Sequence, residues 1–183
     1  MKLPLLFFLE LFIFDIAWFL LVVMKNEWAI SIALILLGIQ FYIIHSKHKD
    51  LLSRIPSILA ITSLGFCIDS LLVYWGVFDF GYGASTAPLW LLALWLHFST
   101  TAVSCLQIFK NIGLTAVAGA FFGPLSYYAG YKLGAVALPL GTSPSIIILA
   151  LIWFFLFPLS LYIGKKRSVF FSSIANPLTF FKS

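Results

Sequence analysis

The chain has 183 residues, 62% of them hydrophobic and only 9% charged, with a mean hydropathy of +1.09. A soluble domain carries about 25% charged and 45–50% apolar residues, so this composition excludes an ordinary water-soluble fold. The formal net charge of +5 does not make a nucleic-acid surface, because the basic residues lie between and after the apolar runs, not in one patch.

Six apolar runs predict an all-α fold, a polytopic transmembrane helix bundle of about six helices. The first spans residues 3–24. Lys2 precedes it, but the apolar stretch exceeds a signal h-region and no small-x-small cleavage site follows, so it reads as an uncleaved helix. The second spans 28–44 and ends in the polar segment His45-Ser-Lys-His-Lys-Asp50, where His45 and His48 read as solvated loop residues. The third spans 56–77, with Pro56 in its first turn. Glycine and small polar residues from Phe78 to Ala87 then make a loop. The fourth span covers 88–109, the fifth 112–133 and the sixth 144–164, forming one transmembrane domain over 1–164. Residues 165–183 form a basic, aromatic tail, read either as lying on an anionic leaflet or as disordered. No repeat is read along the chain.

Orientation follows from Lys and Arg. With six spans, one side carries Lys2, Lys47, Lys49, Arg54, Lys110, Lys165, Lys166, Arg167 and Lys182, against Lys25 and Lys132 on the other. Both termini are therefore expected in the cytoplasm. Trp28, Trp75, Tyr82 and Trp90 sit near the opposite boundary, as an interfacial belt does.

Polar groups inside apolar spans are costly and so mark candidate sites. Asp15 falls near the middle of the first span, and Asp69 past the middle of the third. On the fourth, His97, Thr100, Thr101 and Ser104 fall on one helical stripe. The fifth holds Ser126, Tyr127 and Lys132 in its outer half. Depth and facing suggest a polar cavity holding an Asp69–His97 pair near Tyr127 and Lys132, used in acid–base chemistry, proton relay or headgroup binding. The competing reading is a carboxylate and an imidazole that satisfy each other and lock helix packing. Glu10, roughly 140° from Asp15 around the helix, reaches the cytoplasmic interface or pairs with Lys110 or Gln107. Gly119-xxx-Gly123 and Gly130-xxx-Gly134 are small-xxx-small pairs for close helix approach, and Gly123-Pro124 is expected to kink the fifth helix. Cys67 and Cys105 read as two buried thiols. No hydrolase, zinc-protease, phosphate-loop or dinucleotide signature occurs, so no cofactor and no metal site is expected.

Two blocks are similar to a known family. Asp69-Ser-Leu-Leu, Gly76-Val-Phe, Pro88-Leu-Trp-Leu and Leu94-Trp-Leu-His-Phe-Ser-Thr-Thr101 form one; Gly119-Ala-Phe-Phe-Gly-Pro-Leu-Ser-Tyr127 with Ala129-Gly and Leu133-Gly-Ala135 forms the other. The chain, up to about Pro158, resembles a bacterial inner-membrane family known as a domain of unknown function (twenty-eight seventy-eight). Phe14-Asp-Ile-Ala-Trp18 resembles its first-helix element, with Asp15 where a glutamine is expected. The resemblance implies a small polytopic inner-membrane protein and tilts the partner expectation toward membrane lipids. Three functions stay open: a lipid-related membrane enzyme or accessory factor; a scaffold binding other membrane proteins through the glycine-rich face; and a small proton- or ion-coupled transporter using Asp15 and Asp69.

Overall fold

The computed structural model describes residues 2–48, 51–81, 83 and 85–165. Among the described residues six helices follow in order: α1 Lys2–Met24, α2 Glu27–His48, α3 Leu51–Tyr74, α4 Leu89–Val103, α5 Ile112–Lys132 and α6 Thr142–Lys165. The same residues contain no strand, and five of the helices are long and apolar enough to cross a membrane. Large apolar side chains such as Phe12, Ile35, Phe121 and Phe155 face outward, the arrangement expected where the surrounding solvent is hydrocarbon.

Several boundaries differ from the sequence reading. α2 runs through His45 to His48, so these are helical residues and not loop residues; His45 is exposed. α3 starts at Leu51, which places Pro56 inside the helix instead of at its first turn. α3 stops at Tyr74 because Gly76 turns left-handed, with φ +70°. α5 continues through Pro124 from Ile112 to Lys132. The tail from residue 166 onward, and Tyr82, lie outside the described residues. Trp28 and Trp75 are exposed as an interfacial belt requires, whereas Trp90 is buried with its ring edge-on to Phe80. Cys67 is exposed on α3, not buried.

The largest departure is α4, which has 15 residues instead of running to 109. At about 1.5 Å per residue it falls short of a roughly 30 Å hydrocarbon core. The hydroxyls of Ser99, Thr100 and Thr101 bond back to the carbonyls of Leu96, Leu96 and His97, a local competition that weakens helix continuation. The helix breaks at Ser104 into a 3-10 turn, Cys105–Ile108. The freed carbonyls find side chains: the Arg54 guanidinium donates to Val103 O, and Gln107 Nε2 donates to Ala102 O at 2.6 Å. A cation at a helix C-terminus also complements its dipole. Arg54, counted in the sequence as a loop cation, is thus a buried cap on α4.

The helices form three antiparallel hairpins, α1–α2, α3–α4 and α5–α6, with α4 packed against α1, α2, α3 and α6. The last two hairpins are copies of one plan, which corrects the expectation of no repeat. Gly65, Gly76, Gly83 and Trp95 recur 58 residues later as Gly123, Gly134, Gly141 and Trp153. A Cβ on Gly65 would strike the Trp95 ring, and one on Gly123 the Trp153 ring. Gly76 and Gly134 end their helices alike, at φ +70° and +68°. In each case the glycine N–H bonds three residues back and the next N–H five residues back, the Schellman cap. Gly134 therefore caps α5 and does not pack as the partner of Gly130, since nothing lies within 4 Å of its added Cβ.

Three contacts join a residue to its own counterpart. Asp79 and Ala137 exchange backbone hydrogen bonds of 3.0 and 2.7 Å, Trp95 stacks on Trp153, and Tyr127 bonds Asp69. Contact between equivalent residues is what a two-fold axis between the hairpins produces.

Candidate functional site

Near this axis Asp69, 1% exposed, accepts hydrogen bonds from Trp95 Nε1 at 2.6 Å and from the Tyr127 hydroxyl at 2.7 and 2.8 Å. The two aromatic rings are then held from their far sides. Trp95 lies parallel to Trp153 with centroids 5.6 Å apart, and Tyr127 stacks on Phe78 at 5.0 Å. Gly65 and Gly123 leave the room that the two indoles occupy.

His97 belongs to a different cluster. Its Nδ1 is 2.7 Å from Gln40 Oε1 and its Nε2 is 2.9 Å from the Ala33 carbonyl, while Gln40 Nε2 donates to Thr101 Oγ1 at 3.2 Å. The Asp69–His97 pair expected from depth is not formed. Trp95 and His97 are two residues apart, about 200° around α4, so the face that meets α3 through Trp95 turns His97 toward α2. Both ring nitrogens of His97 are already engaged, and the network fastens α4 to α2.

The remaining sequence candidates separate further. Thr100 donates to Leu96 O and Ser126 to Gly123 O, both within their own helices. Lys132 is exposed, with Nζ 5.4 Å from the Tyr128 ring centroid and 5.7 Å from that of Tyr131, and does not approach Asp69. Glu10, 2% exposed, pairs with Lys47 at 2.7 Å and not with Lys110 or Gln107. Its Oε2 is buried without a partner among the described residues, as is Ser104 Oγ.

What the fold does build is a partly open cavity of about 630 Å³ between α1, α4, α5 and α6. Its walls are mostly aromatic and aliphatic: Phe14 and Trp18 from α1, Leu94, Trp95 and Phe98 from α4, Ala118, Phe122 and Tyr127 from α5, Trp153 and Phe157 from α6. Asp15, Thr101 and Ser126 add polar atoms, and among the described residues Asp15 is the lining's one charged side chain. The polar cavity foreseen from sequence is thus an apolar one, with Asp69 behind its wall. Of the sequence candidates, Asp15, Thr101, Ser126, Tyr127, Gly119, Gly123 and Gly130 reach the lining; His97, Thr100, Lys132, Pro124 and Gly134 do not.

The location of the cavity follows from broken symmetry. α3 packs along α6, but the equivalent faces of α5 and α4 barely meet, and the space lies between them. Trp18, Trp95, Phe98 and Trp153 were not singled out from sequence. A signal existed: Gly65 precedes Trp95 by the same 30 residues that separate Gly123 from Trp153.

A helical bundle with five span-length helices and an aromatic-walled cavity among them defines a multi-pass membrane protein. The chain belongs to the family described as protein of unknown function (DUF2878), whose model matches residues 8–159. No curated protein and no solved structure matches it.

Proposed function

We propose that this protein holds a membrane lipid in the cavity between α4 and α5, as a lipid-related enzyme or accessory factor of a bacterial inner membrane. One observation carries the reading: the chain closes one copy of a helix–helix interface and leaves the other open around about 630 Å³ of apolar space. That volume is within the roughly 300–1,000 Å³ range of ligand sites. An empty gap of that size would forfeit dispersion contacts along its walls, so an acyl chain entering from the bilayer stabilises it. Phe122 and Leu125 of α5 line the cavity yet are well exposed, which suits an opening toward hydrocarbon and not toward water. The lysine and arginine distribution favours cytoplasmic termini.

The scaffold alternative relied on the glycine-rich face of α5. Within this chain Gly119 and Gly123 are covered by Phe157 and Trp153 of α6, which removes that surface from the argument. Of the two carboxyls on which the transporter alternative leaned, Asp15 and Asp69, the second is occupied by two neutral donors.

The test is retention of lipid. Purified protein exchanged into mild detergent is expected to carry a lipid in native mass spectrometry. Ala118→Trp, which fills the cavity from the α5 wall, is expected to lower occupancy at least tenfold while circular dichroism stays unchanged. A folded Ala118→Trp protein that keeps its lipid in full overturns the proposal. Comparing the membrane lipids of a deletion strain complemented with either form then asks whether the bound lipid is also acted on.

A further inference from the structure

Asp15 lies past the midpoint of α1, exposed on the face that lines the cavity. It has no hydrogen-bond or ion-pair partner among the described residues. A carboxyl at that depth is expensive without one. Four other polar side chains of the lining are satisfied from within the protein. Trp95 and Tyr127 donate to Asp69, Ser126 to Gly123 O, and Thr101 to His97 O. Asp15 is therefore the carboxyl of the cavity, and the lining's one charged side chain among the described residues, left for an occupant.

Trp18 stands almost one turn further along the same face of α1 and lines the same cavity. Its indole N–H also has no partner among the described residues. A carboxyl and an indole donor so placed match a group that gives one hydrogen bond and takes one. We propose that the occupant is a long-chain lipid bearing a neutral O–H group, which the Asp15 carboxyl and the Trp18 indole hold inside the bilayer. This rests on the reading of the cavity as a lipid site and names the class of lipid. An ammonium head brings three N–H donors, and a phosphate brings several acceptors. One carboxyl among apolar walls satisfies neither. The ordinary phospholipid head also belongs at the interface, whereas Asp15 lies deep in the span.

The test uses tryptophan fluorescence. The six tryptophans are Trp18, Trp28, Trp75, Trp90, Trp95 and Trp153, and only Trp28 and Trp75 lie outside the cavity lining, 75% and 64% exposed. The full chain carrying Trp28→Phe and Trp75→Phe is placed in phosphatidylcholine nanodiscs. It is titrated with a bromine-labelled long-chain alcohol and with the matching bromoalkane. The alcohol is expected to quench at a mole fraction about three- to tenfold lower than the alkane, the worth of one or two net hydrogen bonds. Asp15→Leu is expected to abolish that preference, so that alcohol and alkane quench at the same mole fraction.

Equal quenching by alcohol and alkane in the parent protein overturns the proposal without recourse to any variant, and leaves the cavity standing as a lipid site. A preference that survives Asp15→Leu also overturns it. Quenching by neither probe overturns both readings together. Bromine-labelled fatty acid and diacylglycerol, tested alongside, show which source of the O–H is preferred.

Discussion

Asp69 was legible as a candidate because it is a charge in an apolar run, but its partners were not. Its carboxyl serves two buried donors, so removing it strands both Trp95 Nε1 and the Tyr127 hydroxyl. A buried donor left without an acceptor costs about 1–3 kcal/mol. Asp69→Ala is therefore expected to destabilise the protein by about 2–5 kcal/mol, and Tyr127→Phe by about 1 kcal/mol, since it removes donor and contact together. Thermal unfolding of the purified protein in detergent measures both. An Asp69→Ala protein as stable as the parent would show that these rings are held by packing alone. Because Trp95 and Tyr127 are cavity walls, loss of Asp69 should also weaken lipid retention, a linkage that a carboxyl remote from the site would not show.

Helix by helix, glycine positions have different reasons, and these predict different sensitivities. Gly65 and Gly123 give room to an indole, so Gly65→Ala and Gly123→Ala are expected to cost about 1–3 kcal/mol each through overpacking. Gly76 and Gly134 have open space around an added Cβ, and their cost is conformational, about 1–2 kcal/mol for a left-handed alanine. If the two hairpins are counterparts, the substitutions should fall into two matched pairs when unfolding is measured in parallel. Unequal members of a pair would place the difference in the surroundings that break the symmetry. Gly119-xxx-Gly123 was readable as a close-approach motif, and it is one. Gly130-xxx-Gly134 had the same spacing, but helix termination at Lys132 puts Gly134 in a turn. Spacing alone does not reveal where a helix ends.

For the whole molecule, two expectations concern arrangement. Asp79 and Ala137 exchange both backbone hydrogen bonds, a geometry with Cα atoms about 5.5 Å apart that suits a disulfide. With Cys67 and Cys105 replaced by alanine, Asp79→Cys with Ala137→Cys is expected to cross-link fully under mild oxidation. Failure to cross-link would separate the two hairpins and remove the axis. The topology is testable by reporter fusion. Enzymes that fold only outside the cytoplasm should be active when joined after Gly83 or Gly141, and inactive after Lys47 or Lys110. The reverse pattern would invert the molecule and the assignment of its termini.

Composition and the lengths of the apolar runs are enough to establish a membrane-embedded helical bundle, its number of helices and roughly where they lie. Hydrocarbon imposes those features segment by segment, so they are local properties of the chain. Asp15, Asp69 and Tyr127 likewise stand out in the sequence as unusual residues for their depth. Which of them meet is settled only by packing. Pairing depends on the rotation of each helix about its own axis, and an error of one residue turns a side chain through about 100°. That rotation sends His97 to Gln40, and Asp69 to Trp95 and Tyr127. The cavity is further still from the sequence, because it arises where one of two equivalent interfaces closes and the other does not. That difference is set by the packing of all four surrounding helices together.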